Sequence, residues 1–100
     1  MTNDKQTIIT NIKNHISSRG GGYSDWYVGI AEDPEKRLSE HNVNLKSGDI
    51  WIYDHATSSD VAREVEKYFI EILKTDGGGG GGSDSSDYVY AYKKNQHTKP

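Results

Sequence analysis

Residues 26–38 of the chain read Trp-Tyr-Val-Gly-Ile-Ala-Glu-Asp-Pro-Glu-Lys-Arg-Leu. The first part, residues 26–30, is rich in aromatic and β-branched side chains and lies between turn-forming residues, which predicts a β-strand. Asp33 and Pro34 follow, and a capping carboxylate directly before a proline is typical of a helix start. The stretch therefore predicts a strand that passes straight into a helix, which we expect to end near residues 42–44.

The rest of the chain predicts two further helices and two further strands. Isoleucines at helical spacing predict a helix over residues 5–18, and a longer apolar stripe predicts another over residues 59–74. Aromatic and β-branched runs predict strands at residues 50–55 and 88–93. We expect these two strands and the one near residues 26–31 to form a single antiparallel sheet in a small α+β domain.

A run of six glycines, residues 77–82, interrupts this pattern and is followed by serines and aspartates. Glycine carries the largest chain entropy, and nothing apolar follows to anchor the segment, so residues 77–86 are expected to form a flexible loop. The run is not a phosphate-binding P-loop, because no Gly-Lys-Ser/Thr follows it. We expect one domain of 100 residues, structured over residues 5–76 and 87–94, with a polar, frayed tail over residues 95–100.

Composition excludes several classes of protein. The net charge of −3 lacks the basic excess of most nucleic-acid binders, so such a role would need a local charge arrangement or a bound cation. The absence of cysteine excludes disulfides, cysteine-ligated zinc, iron–sulfur clusters and thiol catalysis. No apolar run is long enough to cross a membrane, and the first residues lack the pattern of a secretory signal. We therefore expect a cytoplasmic protein with no membrane partner.

Four polar residues are candidates for a functional site, namely Tyr27 in the first strand, Arg37, His41 and Glu66. Arg37 and His41 lie four residues apart and so share one face of the second helix. On the third helix Glu66 flanks the apolar stripe, where a carboxylate is desolvated enough to hold a cation. Glu64 flanks the other side almost as closely, so helix geometry alone leaves both glutamates open. Gly29, in the first strand, allows another group to approach the backbone closely.

These residues resemble a known pattern. A Tyr-Val-Gly stretch that begins at Tyr27, with Arg37 ten residues later and His41 after it, resembles the second half of the signature of the GIY-YIG nuclease family. After the next strand, residues 60–66 resemble the helix that carries the metal-binding glutamate of that family, here Glu66. The resemblance covers about half of the chain.

The resemblance implies a three-stranded antiparallel sheet flanked by about three helices and a metal-dependent endonuclease that hydrolyses DNA phosphodiester bonds. It implies that Glu66 holds one divalent cation, Mg²⁺ or Mn²⁺, that the Tyr27 hydroxyl activates or positions water, and that Arg37 stabilises the phosphate, with His41 in the same site. The chemistry is coherent, because a guanidinium fork and a cation both offset the negative charge of a phosphodiester transition state.

The sequence departs from the family pattern in two places. The first half-motif, Gly-Ile-Tyr on a preceding hairpin strand, has no counterpart, because Tyr23 is too close to Tyr27 for a hairpin. The late asparagine of the family has no secure match, since Asn95 lies beyond the glycine run. An alternative therefore stays open, namely an inactive module of the same fold that binds nucleic acid or a protein partner. A structural protein with a chance motif match also stays open, as does the oligomeric state.

Alternating tyrosines mark the last predicted strand. They are explained about equally well by a platform on which bases stack and by the packing of a two-faced strand. The three residues are Tyr88, Tyr90 and Tyr92.

Overall fold

A computed structural model describes residues 2–77 and 85–100. Within these residues the chain forms three α-helices, four β-strands and one 3₁₀ turn at Tyr23–Asp25. The α+β class predicted from the sequence is thereby confirmed. In chain order the elements are α1 (Lys5–Arg19), β1 (Trp26–Ala31), α2 (Pro34–Glu40), β2 (Trp51–His55), α3 (Ser59–Glu71), β3 (Asp76–Gly77) and β4 (Tyr88–Lys93).

The strands form one mixed sheet in the order β2-β4-β1-β3. The last strand, β4, lies between β1 and β2 and is antiparallel to both. The three predicted strands therefore lie in one sheet, with β4 antiparallel to each of its two neighbours. The expectation of only three strands is incomplete, because the two-residue strand β3 pairs in parallel with Tyr27 and Val28. An Asp-Gly pair at the start of a glycine run predicts a turn, so no local pattern indicates β3.

Hydrophobic side chains fill both faces of the sheet. On one face, residues of α1 and α3 pack against Trp26, Val28 and Ile30 of β1. On the opposite face, Leu38 of α2 packs in a second cluster with the tyrosines of β1 and β4. The alternation along β1 and β4 therefore separates an aliphatic core from a tyrosine-rich layer that lies under α2.

Helix ends follow from local chemistry. The Asp33 carboxylate accepts a hydrogen bond from the Lys36 N–H at 3.2 Å and caps α2, as the sequence predicts. The helix ends at Glu40 rather than near residues 42–44, because Asn42 has a φ of 63° and so turns the chain out of the helix. For the same reason α3 stops before residue 74, where Lys74 has a φ of 66°.

Both ends of the glycine-rich segment are held by the fold. Gly77 belongs to β3, and most of the run predicted to be flexible, residues 78–84, lies outside the described residues. Ser86 is only 2% exposed, and the Asp87 carbonyl accepts a hydrogen bond from the Ala56 N–H at 2.8 Å. The chain is therefore anchored again before β4 begins.

The tail also differs from the frayed segment expected from its polar sequence. Thr98 is buried, and the Lys99 N–H donates to the His41 carbonyl at 2.7 Å. Among the described residues, no helix has the length and apolar character needed to cross a membrane.

Candidate active site

Two adjacent strands bring three tyrosines together under α2. Tyr27 of β1 pairs with Tyr92 of β4, and Gly29 pairs with Tyr90. The ring centroid of Tyr27 lies 5.2 Å from that of Tyr92 and 6.3 Å from that of Tyr90, with the rings nearly parallel. A Cβ atom at Gly29 would lie 2.5 Å from the Tyr90 hydroxyl oxygen. The absence of a side chain at Gly29 therefore lets the Tyr90 ring lie over β1, which is the close approach expected at this glycine.

The helix α2 and the residue that follows it add two polar groups to this tyrosine layer. His41, directly after α2, places its Nε2 atom 2.8 Å from the Tyr90 hydroxyl and its Nδ1 atom 2.7 Å from the Lys99 carbonyl. Its ring centroid lies 4.6 Å from that of Tyr27. Arg37, one helical turn earlier, forms an ion pair with Glu40 at 3.2 Å. Tyr90 and Glu40 raise the pKa of Arg37 although partial burial acts to lower it, so Arg37 stays charged beside the Tyr90 hydroxyl.

The electrostatic surroundings keep the tyrosines protonated. Burial raises the pKa of Tyr27, the positive charge of Arg37 opposes that shift, and the negative charge of Glu66 adds to it. Burial also raises the pKa of Tyr90, and Arg37 again acts in the opposite direction. Ionisation of either hydroxyl near neutral pH therefore requires further positive charge close by.

Glu66 of α3 supplies the acidic group of the site. The residue is 7% exposed, and burial raises the pKa of its carboxyl group, while Arg63 acts to lower it. Glu64, the alternative left open by the helical wheel, is exposed. The structure thus distinguishes the two glutamates, because Glu66 is buried and, of the two, is the one that acts electrostatically on Tyr27 and Tyr90.

A divalent cation at Glu66 would be held by at most two protein carboxylates of the described residues. No group of three or more histidine, aspartate and glutamate side chains occurs within residues 2–77 and 85–100, so a closed cage of protein ligands is not available there. Mg²⁺ commonly keeps several of its waters and binds through one or two carboxylates. The buried carboxylate of Glu66 fits this mode of binding, with water completing the coordination.

The buried charge of Glu66 predicts a stability effect. Because the pKa is raised in the folded protein, burial of the ionised form costs stability that grows as the pH rises through that pKa. In the presence of a chelator, Glu66→Gln should therefore raise the melting temperature (Tm) at neutral pH, and the difference from wild type should shrink as the pH falls toward about 4. Thermal unfolding followed by circular dichroism measures both. A variant that is less stable than wild type at neutral pH would contradict the effect of burial.

Tyr27, Arg37 and His41 meet around one residue that sequence reasoning did not place in the site, Tyr90, and Glu66 acts on Tyr90 electrostatically. The interpretation of Tyr90 and Tyr92 as a base-stacking platform is wrong, because both rings are almost completely buried. Tyr88 is partly exposed but stacks on His55 with a centroid distance of 4.2 Å. The alternation of tyrosines did indicate a shared face, but only the pairing of β4 with β1 shows which residues that face meets.

Asn95, the weak candidate for the late asparagine, lies apart from this group. Its side-chain amide donates to Asp49 at 3.1 Å, and its oxygen accepts from the backbone of His97 and Thr98. It therefore organises the tail rather than the tyrosine layer.

A cleft of about 330 Å³ opens beside the site. Residues of β1, the turn after it and α2 line most of the cleft, and Ser86 closes one side. Lys36 and Arg37 line it together with three acidic residues, Glu32, Asp33 and Glu40. Arg37 is paired with Glu40, so an anionic group in the cleft would depend on Arg37 and Lys36 against an acidic surround.

Comparison with known proteins adds no assignment to this geometry. The sequence matches no protein-family model, and no curated protein and no solved structure matches the chain.

Proposed function

We propose that the chain is a GIY-YIG-like domain that hydrolyses DNA phosphodiester bonds with the help of a divalent cation. The observation that carries this proposal is the meeting of Tyr27, Arg37 and His41 around the Tyr90 hydroxyl, with the buried carboxylate of Glu66 acting on it electrostatically. His41 hydrogen-bonds that hydroxyl, and Arg37 and Glu66 both act on it electrostatically. A surface that only binds a partner has no need of a guanidinium, a tyrosine–histidine pair and a buried carboxylate that all act on one hydroxyl.

The strand order supports the family assignment despite the missing first half-motif. In the family that half-motif lies on the hairpin strand before the strand of Tyr27, and a hairpin strand pairs antiparallel with the strand that follows it. Here β1 lies between β4 and β3, and its antiparallel neighbour is β4, which carries Tyr90. We infer that β4 takes the place of the hairpin strand from the far end of the chain, with Tyr90 supplying the tyrosine of a half-motif whose Gly-Ile-Tyr sequence the chain lacks.

The roles of the residues follow from their chemistry. Arg37 borders the cleft, where its guanidinium can form charge-assisted hydrogen bonds to a phosphate. Tyr27 and Tyr90 offer hydroxyls for positioning water, and His41 Nε2 is within reach of the Tyr90 proton. Glu66 would hold Mg²⁺ or Mn²⁺, and such a cation, when bound, offsets phosphate charge and favours ionisation of nearby hydroxyl groups.

Cleavage assays test the proposal directly. Labelled DNA in single-stranded, duplex and branched forms is incubated with the protein in the presence of Mg²⁺, Mn²⁺ or a chelator. We expect cleavage of at least one form that requires the cation. A fully folded protein that cleaves none of these substrates with either metal would favour the alternative, an inactive module of this fold that binds nucleic acid or a protein partner.

Removal of the Tyr90 hydroxyl tests its role in cleavage. Tyr90→Phe keeps the buried ring but removes the hydrogen-bond partner of His41, so we expect the cleavage rate to fall by at least about tenfold with little loss of stability. Tyr88→Phe is the matched control, since Tyr88 lies on the same strand but stacks on His55 rather than on the site. Single-turnover rates of the two variants separate the effects. Equal rates would show that the Tyr90 hydroxyl has no role.

A further inference from the structure

We propose that the tail, defined as residues 95–99, is a positioning element that fixes which ring nitrogen of His41 carries the proton. The tail thereby directs the lone pair of His41 Nε2 toward the Tyr90 hydroxyl. The catalytic consequence rests on the proposed function, but the protonation pattern of the ring can be measured in the resting protein.

Side-chain anchors hold the tail against the loop that follows α2. His97 Nε2 lies 2.6 Å from one oxygen of Asp49, and the Asn95 amide donates to the other at 3.1 Å. The Asn42 amide donates to the His97 carbonyl at 2.7 Å. These three contacts bring the following residues over the end of α2.

At the end of this path, Lys99 contacts His41 through its backbone. The Lys99 N–H donates to the His41 carbonyl at 2.7 Å, and the Lys99 carbonyl lies 2.7 Å from His41 Nδ1. Thr98, whose hydroxyl accepts a hydrogen bond from the Asn95 N–H at 3.0 Å, is buried in the turn between the side-chain anchors and Lys99. The tail therefore holds both the backbone and the ring of His41.

The hydrogen-bond chemistry determines the tautomer. A carbonyl oxygen only accepts, so His41 Nδ1 must carry the proton that is donated to Lys99. In the neutral ring Nε2 then has no proton and accepts a hydrogen bond from the proton of the Tyr90 hydroxyl, 2.8 Å away. Transfer of that proton breaks the Tyr90 O–H bond and forms the Nε2–H bond, leaving a phenolate beside Arg37 and an imidazolium still bonded to Lys99.

Release of the tail should remove this preference. Without the Lys99 carbonyl, the ring of His41 is free to adopt the other tautomer, in which Nε2 carries a proton and cannot accept one from Tyr90. The predicted defect is therefore in proton transfer, with the tyrosine layer still packed.

The double variant Asn42→Gly/His97→Ala tests this proposal in the full chain. It removes two side-chain anchors of the tail, and glycine suits the φ of 63° at position 42. Long-range ¹H–¹⁵N NMR spectra, recorded without metal or DNA at a pH where imidazoles are neutral, report the protonation of each ring nitrogen. The His41→Gln variant identifies the signals of His41. We expect wild type to have Nδ1 protonated and Nε2 unprotonated, and the double variant to have a mixture of tautomers.

Gln96→Ala is the matched control, because Gln96 is an exposed tail residue and should keep the wild-type spectrum. If the protein cleaves DNA, the double variant should lose about 10- to 100-fold in kcat with a small change in KM. Wild-type protein with a proton on Nε2 alone would overturn the proposal. So would a wild-type ring spectrum in a variant whose Lys99 amide exchanges freely with solvent.

Two further outcomes remain decisive. If hydrogen exchange shows that the double variant keeps its tail docked, a chain truncated after Lys94 removes the tail outright and repeats the measurement. If wild type cleaves no DNA but the ring spectra change as expected, the tail positions His41 and only the nuclease assignment fails.

Discussion

Replacing Glu66 by glutamine is expected to lower the rate of cation-dependent DNA cleavage by about 10²–10³-fold, the usual cost of losing one well-placed electrostatic contact. Glutamine keeps the size of the side chain but removes the negative charge that would hold the cation. The same variant should be more stable than wild type at neutral pH, so unfolding cannot account for its loss of activity.

Arg37→Ala should reduce the rate by a similar factor, because Arg37 borders the cleft and would neutralise the phosphate through charge-assisted hydrogen bonds. Tyr27→Phe should also be damaging, since only its hydroxyl is removed and the strand stays packed. Glu64→Gln is the matched control on α3, because Glu64 is exposed and should change little. Rates measured across a series of Mg²⁺ concentrations separate weaker cation binding from slower chemistry. Undiminished cation-dependent cleavage by Glu66→Gln would refute the site assignment even though the protein was an enzyme.

Gly29→Ala is expected to destabilise the protein by about 1–3 kcal/mol, the typical cost of adding atoms to a packed core. For a domain of this size that corresponds to a fall in Tm of roughly 5–20 °C. The new methyl group would lie 2.5 Å from the Tyr90 hydroxyl oxygen and 2.6 Å from the carbon that bears it. Because the Tyr90 ring is buried, it cannot move aside without disturbing its neighbours. Cleavage should fall as well, since the hydroxyl must leave His41.

Two further variants make this prediction specific. Gly22→Ala is the matched control, because a Cβ at Gly22 meets no heavy atom within 4 Å and its φ of −89° suits alanine. In a Tyr90→Leu background, Gly29→Ala should cost much less than in wild type, because the atoms it would meet are gone. Chemical denaturation of the four proteins of this double-mutant cycle measures the coupling. An identical loss in both backgrounds would show that the contact with Tyr90 is not the cause.

Interactions between residues close in sequence were predicted well. The start of α2 follows from a carboxylate at Asp33 that reaches the N–H three residues later and from a proline whose backbone needs no donor. The strands β1 and β4 follow from an alternation that each strand carries by itself. The predicted ends of α2 and α3 were too late, because the chain leaves each helix near a residue with left-handed backbone, Asn42 after α2 and Lys74 after α3. The residue type alone does not predict that conformation.

The candidate site was only partly predictable. Tyr27, Arg37 and His41 lie within one strand–helix unit, so their spacing in the sequence was enough to name them as a group. Choosing Glu66 over Glu64 required the packing of α3 on the sheet, since both flank the apolar stripe but only Glu66 is buried. The contribution of Tyr90 required the register between two strands more than fifty residues apart.

Local sequence signals are sufficient for the three helices, the three main strands and the strand–helix unit that carries Tyr27 and Arg37, because caps and periodicity act over a few residues. Tertiary structure alone decided that β4 lies between β1 and β2, that β3 joins the sheet, and that the tail contacts His41. Each of these depends on a partner distant in the chain, and a strand's own pattern shows which face is buried but not which strand it pairs with. These long-range pairings assemble the candidate site. The sequence motif therefore could not predict that the Tyr90 hydroxyl lies at its centre.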